Sequence, residues 1–324
     1  MLQERPWVEK YRPQTFNDIV SQNVAINNIR EFVVSGNMPH MIFTGPAGTG
    51  KTSTALIIAR EAIKNENYYA NVLELNASDT VRMDYVRTVI KDFVNQNVMV
   101  GSSSLKFILL DEADNIPGQV QQALRRIIEK SSSEVKFILM CNYINRIIDP
   151  IISRCAVFRF VKLPKEKIIE RLRFIIKKEN LKIPTEKIKN FYDTLHFISE
   201  GDLRKAINTL QMAVALELIE NLNLEEILKI SGFIGKQSFD QLITAIKERN
   251  LKNARDTIDK IENFDGRNLI RQIVNYIPNL KLNSTIYPNL VSFIGEVDYK
   301  ISQGADENIQ ITALIAELIH CIQN

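Results

Sequence analysis

The chain has 324 residues, of which 45% are apolar and 24% charged, and it carries a net charge of +3. That length exceeds what one hydrophobic core organises and predicts two or three domains, while so small a net charge excludes naming a nucleic-acid binder on charge alone. Three cysteines without paired spacing (Cys141, Cys155, Cys321) and three scattered histidines (His40, His196, His320) argue against a disulfide framework and a zinc site, and they favour a reducing, intracellular setting. Neither a signal-peptide layout nor an apolar run of membrane-spanning length is present, so the expectation is a soluble protein with no membrane partner.

In chain order, the first informative stretch is Pro6-Trp7-Val8-Glu9-Lys10-Tyr11-Arg12-Pro13, where two prolines resist helix and aromatic and basic residues interleave. It reads either as an arm tied down by Trp7 and Tyr11 or as a cap over a nucleotide base. A helix is predicted over 23–34, with Val24, Ile26, Ile29, Phe32 and Val33 as its apolar side. A short apolar strand, His40 to Thr44, then runs into Gly45-Pro46-Ala47-Gly48-Thr49-Gly50-Lys51-Thr52 and a helix that begins near Ser53. Strand, G-x-x-x-x-G-K-[ST] and helix together are the phosphate-binding loop. Its glycines turn backbone N–H groups toward phosphate oxygens, Lys51 can bridge the outer phosphates, and the Thr52 hydroxyl is placed to ligate Mg²⁺.

Four further apolar runs, 71–75, 106–110, 136–140 and 156–160, alternate with helical stretches and predict a mostly parallel sheet between helices. The third of the five strands ends in Asp111-Glu112-Ala113-Asp114. There Asp111 can join the Mg²⁺ shell and Glu112 can orient an attacking water. The next strand ends in Cys141-Asn142-Tyr143, which would set the Asn142 amide beside that acidic pair. After Pro164 the chain reads as almost wholly helical. Asp202 is a candidate cap for a helix in whose first turn Arg204 lies, an unfavourable place for a cation unless an anion is near.

These residues resemble the small subunits of the clamp loader, replication factor C, within the AAA+ ATPases. The resemblance runs nearly end to end, through the N-terminal box 7–13, the phosphate loop, Leu75-Asn76-Ala77-Ser78-Asp79, Asp111 to Asp114, Gln121 to Arg126, Ser153-Arg154-Cys155, Gly201 to Arg204 and Gln303 to Glu307. It implies an α/β fold: an AAA+ P-loop domain with a five-stranded parallel sheet (1–162), a small helical lid domain (163–223) and an all-α collar domain (224–324). It implies an ATPase that uses ATP and Mg²⁺ to open a sliding clamp and place it on primer-template DNA. The assembly would be a ring-like pentamer of a large subunit and small subunits, cytoplasmic in an archaeal cell and nuclear in a eukaryotic one.

The same resemblance assigns residue roles. Asn142 and Arg204 become the two sensors, and Arg154 reaches the terminal phosphate of ATP bound by an adjacent subunit. Val8 and Arg12 lie on the adenine side, and Tyr11 and Ser53 join the nucleotide contacts. Arg82, Arg87 and Lys91 on one helix, with Arg125 and Arg126 on another, would track the DNA backbone, a contact to phosphate and therefore blind to sequence. The clamp would dock on the face carrying Asp92 to Gly101. Ala47, where a second proline is usual, should leave phosphate contacts unaltered. Pro117-Gly118 should interrupt a helix start and could reposition Gln119 and Arg125. Another DNA-remodelling AAA+ ATPase, such as a Holliday-junction motor or a replication initiator, would share many of these motifs, as would a catalytically silent ring member; intact Lys51, Glu112 and Arg154 speak against the last.

Overall fold

A computed structural model describes residues 5–63, 68–77, 83–96, 105–131, 134–220, 222–261, 265–280, 283 and 286–323. Two compact units emerge from its contacts, Met1–Leu181 with Ser199–Asn208, and Lys182–Ile198 with Thr209–Asn324.

The first unit is built on five parallel strands, β1 (His40–Thr44), β2 (Val72–Asn76), β3 (Lys106–Asp111), β4 (Val135–Cys141) and β5 (Cys155–Arg159), in the order β2-β3-β4-β1-β5. The parallel sheet expected from the sequence is thus present. Its strands are apolar on both faces because helices cover both, as parallel crossover connections require. Strand alternation divides the core accordingly. Phe43, Phe107, Ile138, Met140 and Phe158 join Ile26, Ile29 and Ile57 in one buried cluster, while Ile42, Ile108, Leu110, Phe137 and Leu139 join Leu124, Ile128 and Ile151 in the other.

The helices of this unit, in order, are α1 (Trp7–Lys10), α2 (Asn23–Ser35), α3 (Lys51–Ile63), α4 (Tyr68–Asn71), α5 (Met83–Asn95), α6 (Gly118–Lys130), α7 (Asp149–Ile152) and α8 (Lys165–Lys178). Helix α2 ends at Gly36, whose φ of 69° supplies the left-handed C-terminal turn. Pro117 and Gly118 do not interrupt α6. Pro117 stands at its N-cap with φ −61°, where no N–H is needed and its carbonyl accepts from the Val120 and Gln121 N–H groups at 2.9 and 3.1 Å, and Gly118 opens the helix.

The remaining helices are α9 (Ile188–Ser199), α10 (Leu203–Ala215), α11 (Leu224–Ile230), α12 (Lys236–Lys247), α13 (Leu251–Asp259), α14 (Gly266–Tyr276), α15 (Tyr287–Ser302) and α16 (Glu307–Gln323). In the second unit Leu242, Ile246, Leu269, Ile273, Leu290, Val297, Leu314 and Leu318 are among the residues of a single core. Their spacing of four or seven residues within a helix is that of an apolar stripe along one helix face. Among the described residues no helix is long and apolar enough to cross a membrane.

His40 opens β1 with its Nδ1 accepting the Phe137 N–H at 3.1 Å. Burial, with Lys136 nearby, pulls its pKa down to about 4. The unfolded chain, with an ordinary histidine, takes up a proton below about pH 6.5 that the folded chain refuses, so folding stability should fall as pH drops from about 6.5 toward 4. Thermal unfolding of wild type and His40→Gln across that window checks this: the variant should show a flatter decline.

Candidate functional site: a phosphate-loop nucleotide pocket

The loop between β1 and α3 is shaped by backbone that only glycine tolerates easily. Gly45 has φ 145°, and a Cβ there would stand 2.0 Å from the Phe160 carbonyl oxygen. Gly48 has φ 66°, and a Cβ would meet Asp202 Oδ1 at 1.7 Å. The loop is therefore pressed against the start of α10, where the Leu203 N–H donates to the Gly48 carbonyl at 3.3 Å. Asp202 caps that helix by accepting the Lys205 N–H at 3.0 Å, as the sequence suggested.

Lys51 is buried, and its ammonium donates to the Gly45 carbonyl (2.6 Å), the Pro46 carbonyl (2.8 Å) and Asn142 Oδ1 (3.0 Å). Burial lowers its pKa, while Asp111 and Asp114 act in the opposite sense. The Thr52 hydroxyl donates to Asp111 Oδ2 at 2.7 Å, bringing together from β3 and α3 the two oxygen ligands expected for magnesium. Among the described residues no group of three His, Cys, Asp or Glu could hold a metal unaided. Thr52 and Asp111 present a hydroxyl and a carboxylate oxygen, hard donors that fit Mg²⁺, an ion that commonly takes its other ligands from phosphate and water.

Glu112 follows with a left-handed backbone, φ 54°, its N–H bonded to Asp111 Oδ1 at 2.9 Å and its Oε2 accepting from Asn115 Nδ2 at 3.2 Å. One pocket is lined by Val8, Tyr11 and Arg12 of the arm, by the loop from Ala47 through Ser53, and by Asp111, Glu112, Asn142 and Arg204. Gly45 and Pro46 do not line it; their carbonyls accept from the Lys51 ammonium.

Two charged residues, one beside the pocket and one in its wall, were not singled out from the sequence. Asp114 is buried, and its Oδ2 accepts the N–H groups of Asn142 and Tyr143, both at 3.2 Å, which fixes the end of β4 that carries Asn142. Its place three residues after Asp111 was the available signal. Arg171, on α8, also lines the pocket.

Arg154 does not line this pocket. It lies immediately before β5, which is parallel to β1 with Cys155 opposite His40, whereas the phosphate loop follows Thr44 at the other end of β1. Strand rise alone separates those ends by about 13 Å. The guanidinium is held by Glu129 Oε1 (2.6 Å), the Pro150 carbonyl (2.7 Å) and Ser153 Oγ (3.2 Å). Glu129 also pairs with Arg125 at 2.8 Å, so one carboxylate serves both arginines. Arg126 and Lys91 are exposed on α6 and α5. Arg82, the Arg87 side chain and positions 97–101 fall outside the described residues.

The model of the ATPase family associated with various cellular activities (AAA) matches residues 41–163, and that of the replication factor C C-terminal domain matches 235–317. Replication factor C small subunit 1 of Pyrobaculum aerophilum is 39% identical over 315 residues, covering 96% of this chain and 93% of that protein. Replication factor C small subunit of Archaeoglobus fulgidus is also 39% identical, covering 96% of each. Among solved structures, the Thermotoga maritima RuvB Holliday junction branch migration motor superposes with a TM-score of 0.54 at 16% identity, over 78% of this chain and 88% of that one, a likeness of fold alone. Near-complete coverage by small subunits, with both family models matched in order, decides the matter: this chain belongs to the replication factor C small subunits, AAA-family ATPases of the DNA-replication clamp loader.

Proposed function

We propose that the chain works in a ring-like pentamer with a large clamp-loader subunit and other small subunits, binding ATP to open a sliding clamp around primer-template DNA and hydrolysing it to release both. The observation that carries this reading is the position of Arg154, exposed and a strand's length from its own phosphate loop. Arg154 stands too far to reach its own nucleotide's phosphates, and in a ring it would serve a neighbour's.

In that reading the loop amides and Lys51 bind the ATP phosphates, Asn142 and Arg204 contact the outer phosphate, and Glu112 orients and polarises the attacking water. Thr52 and Asp111 would hold Mg²⁺, which when bound neutralises charge on the phosphate oxygens. Asp114 keeps Asn142 aimed through the β4 backbone. Val8, Tyr11 and Arg12 wall the adenine side. Lys91, Arg125 and Arg126, together with Arg82 and Arg87, would follow DNA phosphates, and the face from Asp92 to Gly101 would meet the clamp. Residues 1–162, 163–223 and 224–324 act as nucleotide domain, lid and collar.

The test is ATP turnover by the reconstituted complex, alone, with primed DNA, and with primed DNA plus clamp. Stimulation is expected at each addition and should weaken with salt, because phosphate contacts release counterions. Turnover indifferent to the clamp would sink the reading.

A further inference from the structure

Helix α1 is only four residues long, too short to hold itself in water, so the arm that walls the pocket must be fixed by tertiary ties. Tyr11, just after α1, carries three of them. Its carbonyl accepts from Arg171 Nη2 at 2.7 Å, its hydroxyl donates to the Glu179 carboxylate, and its ring meets Phe174 edge-on, with centroids 6.2 Å apart at 86°. Lys10 adds an ion pair to the same carboxylate at 2.6 Å. Arg171 and Phe174 lie on α8, and Glu179 occupies its C-cap.

These ties span 160 and 168 residues of sequence, so local turn chemistry does not produce them. Burial works to raise the Glu179 carboxyl, but Lys10 and Tyr11 outweigh it and hold the group below its ordinary range. Burial and the bond to Glu179 raise the Tyr11 phenol above its ordinary value. Tyr11 and Arg171 line the nucleotide pocket, whereas Glu179 does not.

The geometry points to Glu179 as a positioning residue for nucleotide binding: by anchoring Tyr11 and Lys10 it fixes the arm as the base-side wall, so ATP affinity depends on a carboxylate that does not line the pocket. The inference rests on adenine lying against the arm. Its signature is selective. A ligand with phosphates but no base engages the loop alone and is indifferent to the arm.

The experiment titrates the full-length chain with a fluorescent ATP analogue and displaces it with ATP or with inorganic tripolyphosphate, for wild type, Glu179→Ala, Glu179→Gln and Tyr11→Phe. Loss of the Tyr11 hydrogen bond to a charged acceptor, together with the half-exposed Lys10 ion pair, should weaken ATP about tenfold in Glu179→Ala and leave tripolyphosphate within about twofold. Glu179→Gln, which retains an acceptor for the Tyr11 hydroxyl, should fall between. Tyr11→Phe in the Glu179→Ala background should weaken ATP less than it does in wild type, because the two groups share one interaction. Equal wild-type affinity for ATP and tripolyphosphate would refute the adenine placement and this inference with it. A wild-type preference for ATP that survives intact in Glu179→Ala would overturn the inference alone, as would equal weakening of both ligands. If Glu179→Ala does not fold, the Glu179→Gln ratio decides.

Discussion

Lys51→Ala should bind ATP at least about a hundredfold more weakly and lose hydrolysis altogether. The ammonium is the buried cation of the loop, and charge-assisted bonds to phosphate are worth about 1.5–3 kcal/mol each, so losing two of them reaches that factor. The substitution also removes the bonds that the Gly45 and Pro46 carbonyls and Asn142 Oδ1 take from this group. Pro46 and Asn142 are exposed, however, and the Pro46 carbonyl keeps the Thr49 hydroxyl at 2.8 Å, so water can replace the ammonium and the cost to folding should be small. Calorimetric titration with ATP, set beside thermal unfolding of the same protein, separates the two effects. A variant that keeps its unfolding temperature and still binds ATP within a few-fold of wild type would contradict the assignment of Lys51.

Arg154→Ala should do the opposite on a single chain and worse in the ring. Because the side chain stands at the far end of the strands from its own loop, ATP affinity of the isolated chain should stay within about twofold. In the assembled complex, with every such arginine replaced, turnover should fall by about three orders of magnitude, the scale of a lost arginine finger. Single-turnover hydrolysis by the complex and nucleotide binding by the chain are the paired measurements. Wild-type turnover in the substituted ring would remove the finger assignment, and weakened binding in the lone chain would mean the arginine serves its own pocket. The change also releases Glu129 to Arg125 alone, so DNA affinity should be read alongside turnover.

The phosphate loop, the acidic strand end and the sheet were legible because each is written in contiguous residues whose local chemistry has few other uses. Strand ends carry Asp111 and Asn142 together simply because β3 and β4 are neighbours in a parallel sheet. What stayed hidden was long-range. An aspartate in an acidic turn looks the same whether or not it accepts two amides from the segment after the next strand, so the place of Asp114 three residues after Asp111 marked it as near the site without telling that it holds Asn142. Nothing in the spacing of Tyr11 and Glu179 announces that they meet. Lys106 read only as a strand residue, yet it is buried with its ammonium donating to the Phe93 and Gln96 carbonyls at the end of α5. Pro117 misled for a local reason: proline is costly inside a helix and harmless at its cap, and the two differ by a few residues of register.

Glu112 occupies a backbone conformation, φ 54° and ψ 37°, in which a side chain is poorly accommodated. Such a residue costs the fold about 1–3 kcal/mol, and glycine would avoid most of that. Left-handed backbone also occurs at Ser21, Asn180, Glu200, Glu217, Leu222 and Arg249, but in the role proposed for Glu112, orienting the attacking water, this one position would trade stability for chemistry. Variants isolated only for heat resistance should therefore drift toward glycine or asparagine at 112, and the sturdiest form of this protein would be one that no longer turns over ATP.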